Sequence, residues 1–420
     1  MHSRYLSCIL LAGLAAIPAA HALEIGLADA GELRLNGFAT LAATRALTDD
    51  AADYRSANYL SAGSERTRHW DTQNDSILGL QAFLTAPQSR FAAVVQGVLA
   101  NDTHDALALR MDWLYLDWRA ADTLTMRAGR TPFPAMMDSE SRWLGHSRLT
   151  VTAAPETYFH MPTTSLDGAS LRWRHDRDRH YLQLRAGAGV TRFETASRTG
   201  VAEVDLNRTL AASLEVGNAV WRAYLGAFSA DARVQSPPLA TLNGALSALA
   251  PTVPEAGTMA AAYPTGWFPI SQLSLGFEYL DAPWTFKAEA VRRSSDNLLV
   301  YAVRGWYAVA GYTLGNFTPY VSGGVQWQAS DLSPRFLPPG TPGGEALSAI
   351  YNATLIGLAQ SRIGAGLRYD LPFGAAIKLQ YDRLKLQESN SRGMFVNATA
   401  AFIGRAEPIN VFSFALDYQF

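Results

Sequence analysis

Val411-Phe412-Ser413-Phe414-Ala415-Leu416-Asp417-Tyr418-Gln419-Phe420 decides the fold. Phe412, Phe414, Leu416, Tyr418 and Phe420 alternate with Val411, Ser413, Ala415, Asp417 and Gln419. Period two is the spacing of a β-strand, whose successive side chains point to opposite faces. The same rhythm returns near the other end. Leu33, Leu35, Gly37, Ala39 and Leu41 share one face, with Arg34, Asn36, Phe38 and Thr40 on the other.

With these two stretches counted, the alternation occurs in sixteen segments, at 33–45, 74–85, 91–100, 107–118, 124–130, 166–175, 181–191, 204–216, 219–229, 270–280, 284–293, 299–314, 317–328, 354–369, 375–387 and 409–420. Links after even-numbered segments are short and built of turn residues, such as Ala86-Pro87-Gln88-Ser89, Gly217-Asn218, Asp281-Ala282-Pro283 and Gly315-Asn316. Links after odd-numbered segments are mostly long: 46–73, 131–165, 230–269, 329–353 and 388–408. Within 230–269, residues 239–250 read as a short helix.

Composition agrees. The 420 residues carry 35 basic and 37 acidic side chains, are 48% apolar and include 33 Gly. Low charge and high apolar content exclude a disordered chain and a nucleic-acid binder built on a basic field. Residues 1–22 read as a secretory signal peptide: Arg4, an apolar run, then Ala20-His21-Ala22 as a small-x-small cleavage site. An anchor would need about 20 apolar residues. Cys8, the single cysteine, falls in this leader, so the exported chain forms no disulfide. Without Arg4 the balance is 34 basic against 37 acidic, net −3. No later stretch offers a transmembrane helix.

An exported chain of amphipathic strands, with short turns at one rim and long loops at the other, is expected to be an all-β transmembrane antiparallel barrel spanning residues 23–420. Trp118, Trp173, Trp221, Trp284, Tyr312, Phe317 and Tyr369 beside the short turns suit a membrane-interface girdle.

Three stretches together resemble Gram-negative outer-membrane porins of the sixteen-stranded, usually trimeric, general type. They are the terminal strand, the segment Leu124-Thr125-Met126-Arg127-Ala128-Gly129-Arg130, and the return from Ala153 to Trp173. The resemblance implies an outer-membrane location and insertion by the barrel-insertion machinery, which would read Tyr418 and Phe420. It also implies homotrimers and a passive channel for small polar solutes. In that family the third outer loop folds inward and sets acids against arginines. By resemblance Asp138 and Glu140 of loop 131–165 would face Arg34, Arg127, Arg172 and Arg185 across the constriction.

Alternation supplies further lumen charges: Arg110, Arg174, Arg222, Lys287, Arg304, Arg368 and Lys378, with the acids Asp112, Glu215, Glu278, Glu289, Asp370 and Asp382. With the wall arginines that makes eleven cations against six acids, which suggests an anion preference. Many of these would pair into ladders that brace the wall.

No nucleophile elbow, phosphate loop, dinucleotide fingerprint or Cys/His metal spacing occurs, so neither catalysis nor a cofactor is expected. Asp49, Asp50 and Asp53 could hold calcium, but a solvated acidic loop is the expectation. The alternatives to a passive channel are a solute-selective channel, an outer-membrane enzyme and a structural barrel with a filled lumen. The leader makes a direct prediction. Intact-mass measurement of the purified protein should place its first residue at Leu23; a mass that retains residues 1–22 would refute the cleavage.

Overall fold

The computed structural model describes residues 23–26, 31–48, 51–56, 69–104, 106–161, 163–197 and 200–420. Residues 1–22, expected to be a leader, lie outside them, as do Asp49 and Asp50. Sixteen antiparallel strands close into one barrel. In chain order they are β1 Glu32–Ala46, β2 Ile77–Thr85, β3 Phe91–Asn101, β4 Leu107–Ala121, β5 Leu124–Pro132, β6 Ser165–Arg177, β7 His180–Ser197 and β8 Gly200–Gly217. The second half is β9 Trp221–Gln235, β10 Phe268–Asp281, β11 Trp284–Ser294, β12 Val303–Tyr312, β13 Phe317–Gln328, β14 Gln360–Leu371, β15 Ala375–Leu386 and β16 Ile409–Gln419.

Each strand pairs with the next, and β16 returns to β1 with Val411 opposite Ala46 and Gln419 opposite Phe38. The seam ends in two 2.9 Å main-chain hydrogen bonds between Phe420 and Gly37. A Cβ at Gly37 would stand 2.3 Å from the Phe420 ring, so the terminal aromatic needs glycine there. Beyond the seam, Leu23–Gly26 adds a short strand along β1. At the loop rim Asp53–Tyr54 pairs with Phe395–Val396, joining the first long loop to the last.

The expected strands 299–314 and 354–369 start later than their alternation suggested, at Val303 and Gln360. The residues before β14 form a helix, Gly344–Thr354. The helix expected at 239–250 is Pro237–Leu249, and a second, Pro254–Ala261, follows it. Both have proline in the first turn, where its missing N–H is no loss.

Outward and inward faces separate cleanly along most strands. In β10, Ile270, Gln272 and Ser274 are buried while Leu273, Leu275 and Phe277 are exposed. In β4 the alternation changes phase. Gln96 pairs with Trp113 and Gly97 with Met111, leaving Asp112 as the extra residue of a bulge. Leu109 and Met111 point outward before it, and Leu114, Leu116 and Trp118 after it. Asp117 therefore faces the lumen, a residue that uninterrupted alternation assigns to the outside.

The long segment between β5 and β6 runs inside the barrel. Phe133, Ala135, Met136, Tyr158 and Met161 pack against inward-facing Val204, Leu206, Phe228, Ile270, Val291 and Tyr307. Burying each large side chain of this cluster is worth about 1.5–3 kcal/mol, enough to oppose the entropy of ordering the loop. Polar ties act at several points of the wall. Ser274 Oγ donates to the Ala135 carbonyl (2.5 Å) and Trp143 Nε1 to Asp112 (3.1 Å). Lys378 Nζ donates to the Gly145 carbonyl (2.7 Å) and Gln380 accepts from Val151 N–H (2.9 Å).

The loop's return is fixed by Glu156, which pairs with Arg362 of β14 at 2.7 Å; Arg362 also holds Asp382 of β15 at 2.9 Å. All three are buried. At Gly305 a Cβ would come within 2.0 Å of the Glu156 carbonyl, so the loop sits directly on wall backbone. Removing one partner from a buried ion network costs about 3–5 kcal/mol. Glu156→Ala should make residues 133–164 susceptible to limited proteolysis in detergent. Resistance equal to wild type would mean that the remaining contacts hold the loop without this pair.

Candidate pore constriction

The strands place charged side chains at one level around half of the inner wall. Asp117 of β4 lies opposite Arg127 of β5, and Arg172 of β6 opposite Arg185 of β7. Glu215 of β8 follows, then Arg222 of β9 opposite Glu278 of β10, itself opposite Lys287 of β11. The arc divides into two parts of different character.

In the part formed by β9–β11 the charges are closely matched. Arg222 bonds Glu278 at 2.7 Å and lies 3.4 Å from Glu215, while Lys287 meets Glu278 at 3.2 Å. Asp138 enters this cluster, 2.6 Å from Lys287 and 3.3 Å from Arg222. Its amide N–H donates to Tyr158 Oη, which ties the two limbs of the loop together. Burial alone would raise the Asp138 pKa, but Lys287 and then Arg222 outweigh it and hold the carboxyl below its ordinary value. Asp138 is a staple for the loop.

The part formed by β4–β7 is different. Arg172 and Arg185 are like charges directly across a strand pair, an arrangement that repels unless an acid opposes it. Glu140 is that acid. It stands 3.2 Å from Arg127 and 3.9 Å from Arg185, and about one third of its side chain remains exposed at 32%. Burial again works to raise its pKa, and Arg185, Arg127 and Arg172 together lower it. Asp117 completes the group at 3.0 Å from Arg127, whose guanidinium also covers the Tyr115 ring. Three arginines thus face two acids beside solvent.

Of the residues expected at the constriction, Glu140, Arg127, Arg172 and Arg185 come together. Asp138 does not meet those arginines. It lies two positions before Glu140 in a tight turn, and the turn carries it to Lys287 and Arg222. Arg34 lies apart, at the turn rim, half exposed beside Glu24 and Glu32 at 3.4 and 3.8 Å. It is near the start of β1, too far down the strand for this level.

The other lumen charges are mostly braces. Lys378 is fully buried against Asp417 at 2.8 Å, and Arg368 holds Asp370 at 2.6 Å while donating to the carbonyls of His146 and Arg148. Asp112 accepts from Gln96 at 2.9 Å as well as from Trp143 and Thr164. Arg110 lies over the Trp143 ring. Arg174 is at the turn rim with Asp176, 2.9 Å away, and over Tyr181.

Arg304 is a correction. It is exposed and opposite Arg292, on the face that carries Trp306, so it points outward. It stands one residue from the loop end of β12, where the cost of an outward charge falls to about 0–1 kcal/mol because headgroups replace hydrocarbon. Alternation missed two braces that it could have found. Arg362 shares the parity of Arg368, and Asp417 that of Ser413. Asp117 was hidden by the bulge. Asp53 bonds Asn397 at 3.0 Å, and among the described residues no acidic cluster has the shape of a metal site.

No family model matches the chain, and no curated protein does. Solved structures do. Over 95% of this chain and 100% of the other, it is similar to OmpF of Salmonella typhi, solved in complex with daunomycin (10% identity, TM-score 0.55). It is similar to the outer-membrane expressed OmpT of Vibrio cholerae over 95% and 100% (9%, 0.51). The anion-selective porin of Comamonas acidovorans is matched over 92% and 99% (11%, 0.51). With its inward-folded loop, the closed sixteen-stranded barrel of this chain is the fold of the Gram-negative outer-membrane porins.

Proposed function

We propose that the protein is an outer-membrane porin, a passive water-filled channel for small hydrophilic solutes and ions. The observation that carries this reading is Glu140, partly exposed and facing Arg127, Arg172 and Arg185. Charges of both signs bordering a narrow aqueous gap create a field that orders water and favours polar solutes. No bond chemistry enters the reading. With three arginines against Glu140 and Asp117, the gap carries a cationic surplus, which supports a modest anion preference.

The protein would be exported through its leader, residues 1–22, and inserted through its terminal strand with Tyr418 and Phe420. It would assemble as a homotrimer in the lipid bilayer. The outward face of β5–β9 supports the last point. Ala128, Gly129, Gly168, Ala169, Ala186, Ala188 and Ala212 make it shallow, and Arg130 forms a bidentate pair with Asp167 at 2.7 and 2.8 Å there. An ion pair and small side chains suit a wall covered by protein better than one covered by lipid. Native mass spectrometry in detergent should find three copies, and Ala169→Trp should release single ones. Three copies retained in the variant would place the interface elsewhere.

Reversal potentials across planar bilayers in a potassium chloride gradient test the field. Glu140→Gln should shift selectivity toward anions, while Asp138→Asn should shift it less and instead loosen the loop. Equal shifts would refute the assignment of Glu140 to the gap. The pH dependence has a defined sign. A depressed carboxyl stays ionised below the ordinary glutamate value of 4.5. Wild-type selectivity should therefore hold from neutral pH down to that value and move toward anions only below it. A shift already complete above pH 4.5 would contradict the depressed Glu140.

A further inference from the structure

On the loop-rim side of the inward-folded segment, the ends of β7–β10 and the outer loops enclose a cavity of about 480 Å³. That is the size of a small-molecule site. Val204, Leu206, Phe228 and Ile270 line it from the wall, Phe159 and Leu299 from the loops. Inward-facing apolar side chains are unexpected in a channel for polar solutes, and only some of them are covered by the segment 133–161.

The charge-bearing part of the lining is one-sided. It contains Arg55, Arg293, Arg392 and His160, with no aspartate or glutamate. Arg293 is the most informative. Its Nε donates to the Tyr301 carbonyl at 3.0 Å and its Nη1 to the His160 carbonyl at 2.7 Å. Among the described residues no carboxylate pairs with it. The wall cations Arg127, Arg222, Lys287, Arg362 and Lys378 each have an acid beside them. Burial and the neighbouring Arg293 push the His160 pKa down to about 3, so the imidazole lends a polar edge but no charge. A partly buried guanidinium with only carbonyl partners is under-compensated, and an incoming anion would correct that.

We propose that this outer vestibule binds amphipathic carboxylates, with an aromatic or alkyl body against the apolar wall and the acidic head on Arg293. The inference rests on the channel reading and names a solute class for it. The two requirements are separable. Acetate has the head without the body, and a neutral amide has the body without the head. A cavity that is merely greasy would treat the amide like the acid.

Isothermal titration of the full-length mature protein in detergent with 4-phenylbutyrate reads the cavity without reference to conduction. 4-Phenylbutyrate should bind, and acetate and 4-phenylbutyramide should bind at least about tenfold more weakly, the scale of one charge-assisted interaction. Arg293→Met should weaken binding by a similar factor. Thr195→Asp, a short substitution in the lining, should do so by repulsion, and it keeps the question answerable if Arg293→Met fails to fold. Equal binding of the amide and the acid, or wild-type binding in a folded variant, would overturn the proposal. Bilayer recordings separate the two readings. A conducting protein that binds no 4-phenylbutyrate refutes the vestibule alone, whereas a binding protein that conducts no ions refutes the channel.

Discussion

Every main-chain N–H and C=O that faces hydrocarbon must find its partner within the sheet, and this one constraint organises the molecule. It is met only if the last strand returns to the first. The seam between β16 and β1, finished by the mutual hydrogen bonds of Phe420 and Gly37, removes the open edge that lipid could not satisfy. Closure in turn fixes which parity of each strand faces inward. Sixteen strands enclose more space than wall side chains can fill. What occupies the lumen is therefore a separate structural decision.

Here that decision has two layers. The segment between β5 and β6 is drawn inward because part of the inner wall is apolar, with Val204, Leu206, Phe228, Ile270 and Tyr307 offering it a surface to pack on. Charge then sets its exact path. Glu156 on Arg362 and Asp138 on Lys287 are matched pairs that cost less to keep than to break, so they hold the segment in place. Glu140 is held less tightly and remains partly open to solvent, which lets its field reach across water. Two acids two positions apart thus do different work because one is enclosed in a closely matched cluster and the other, though paired, stays partly open to solvent.

The architecture was readable in the sequence because its signals are local. Alternation, turn composition and the order of short and long links each depend on neighbouring residues, and each of the sixteen segments became a strand. The candidate site was readable in part. Glu140, Arg127, Arg172 and Arg185 were placed together, since strand parity and an inward loop suffice to bring them there. Arg34 and Arg304 were misplaced because parity carries no information on depth, and a charge at a strand end is tolerated on either face. Asp117 was missed because the Asp112 bulge reverses parity midway through β4; the switch of the apolar positions from Leu107, Leu109 and Met111 to Leu114, Leu116 and Trp118 is the signal that would have found it.

The partner of Asp138 and the vestibule beside Arg293 belong to another category. Both join residues separated by more than a hundred positions, in a loop and on distant strands, and no periodicity connects them. The sequence by itself determined the strands, the rims and the faces, since these follow from backbone geometry and the side-chain alternation it imposes. Only the tertiary structure decided which charges meet, which stay wet and which cavity remains, because those depend on how a 32-residue segment, 133–164, lies against a curved wall.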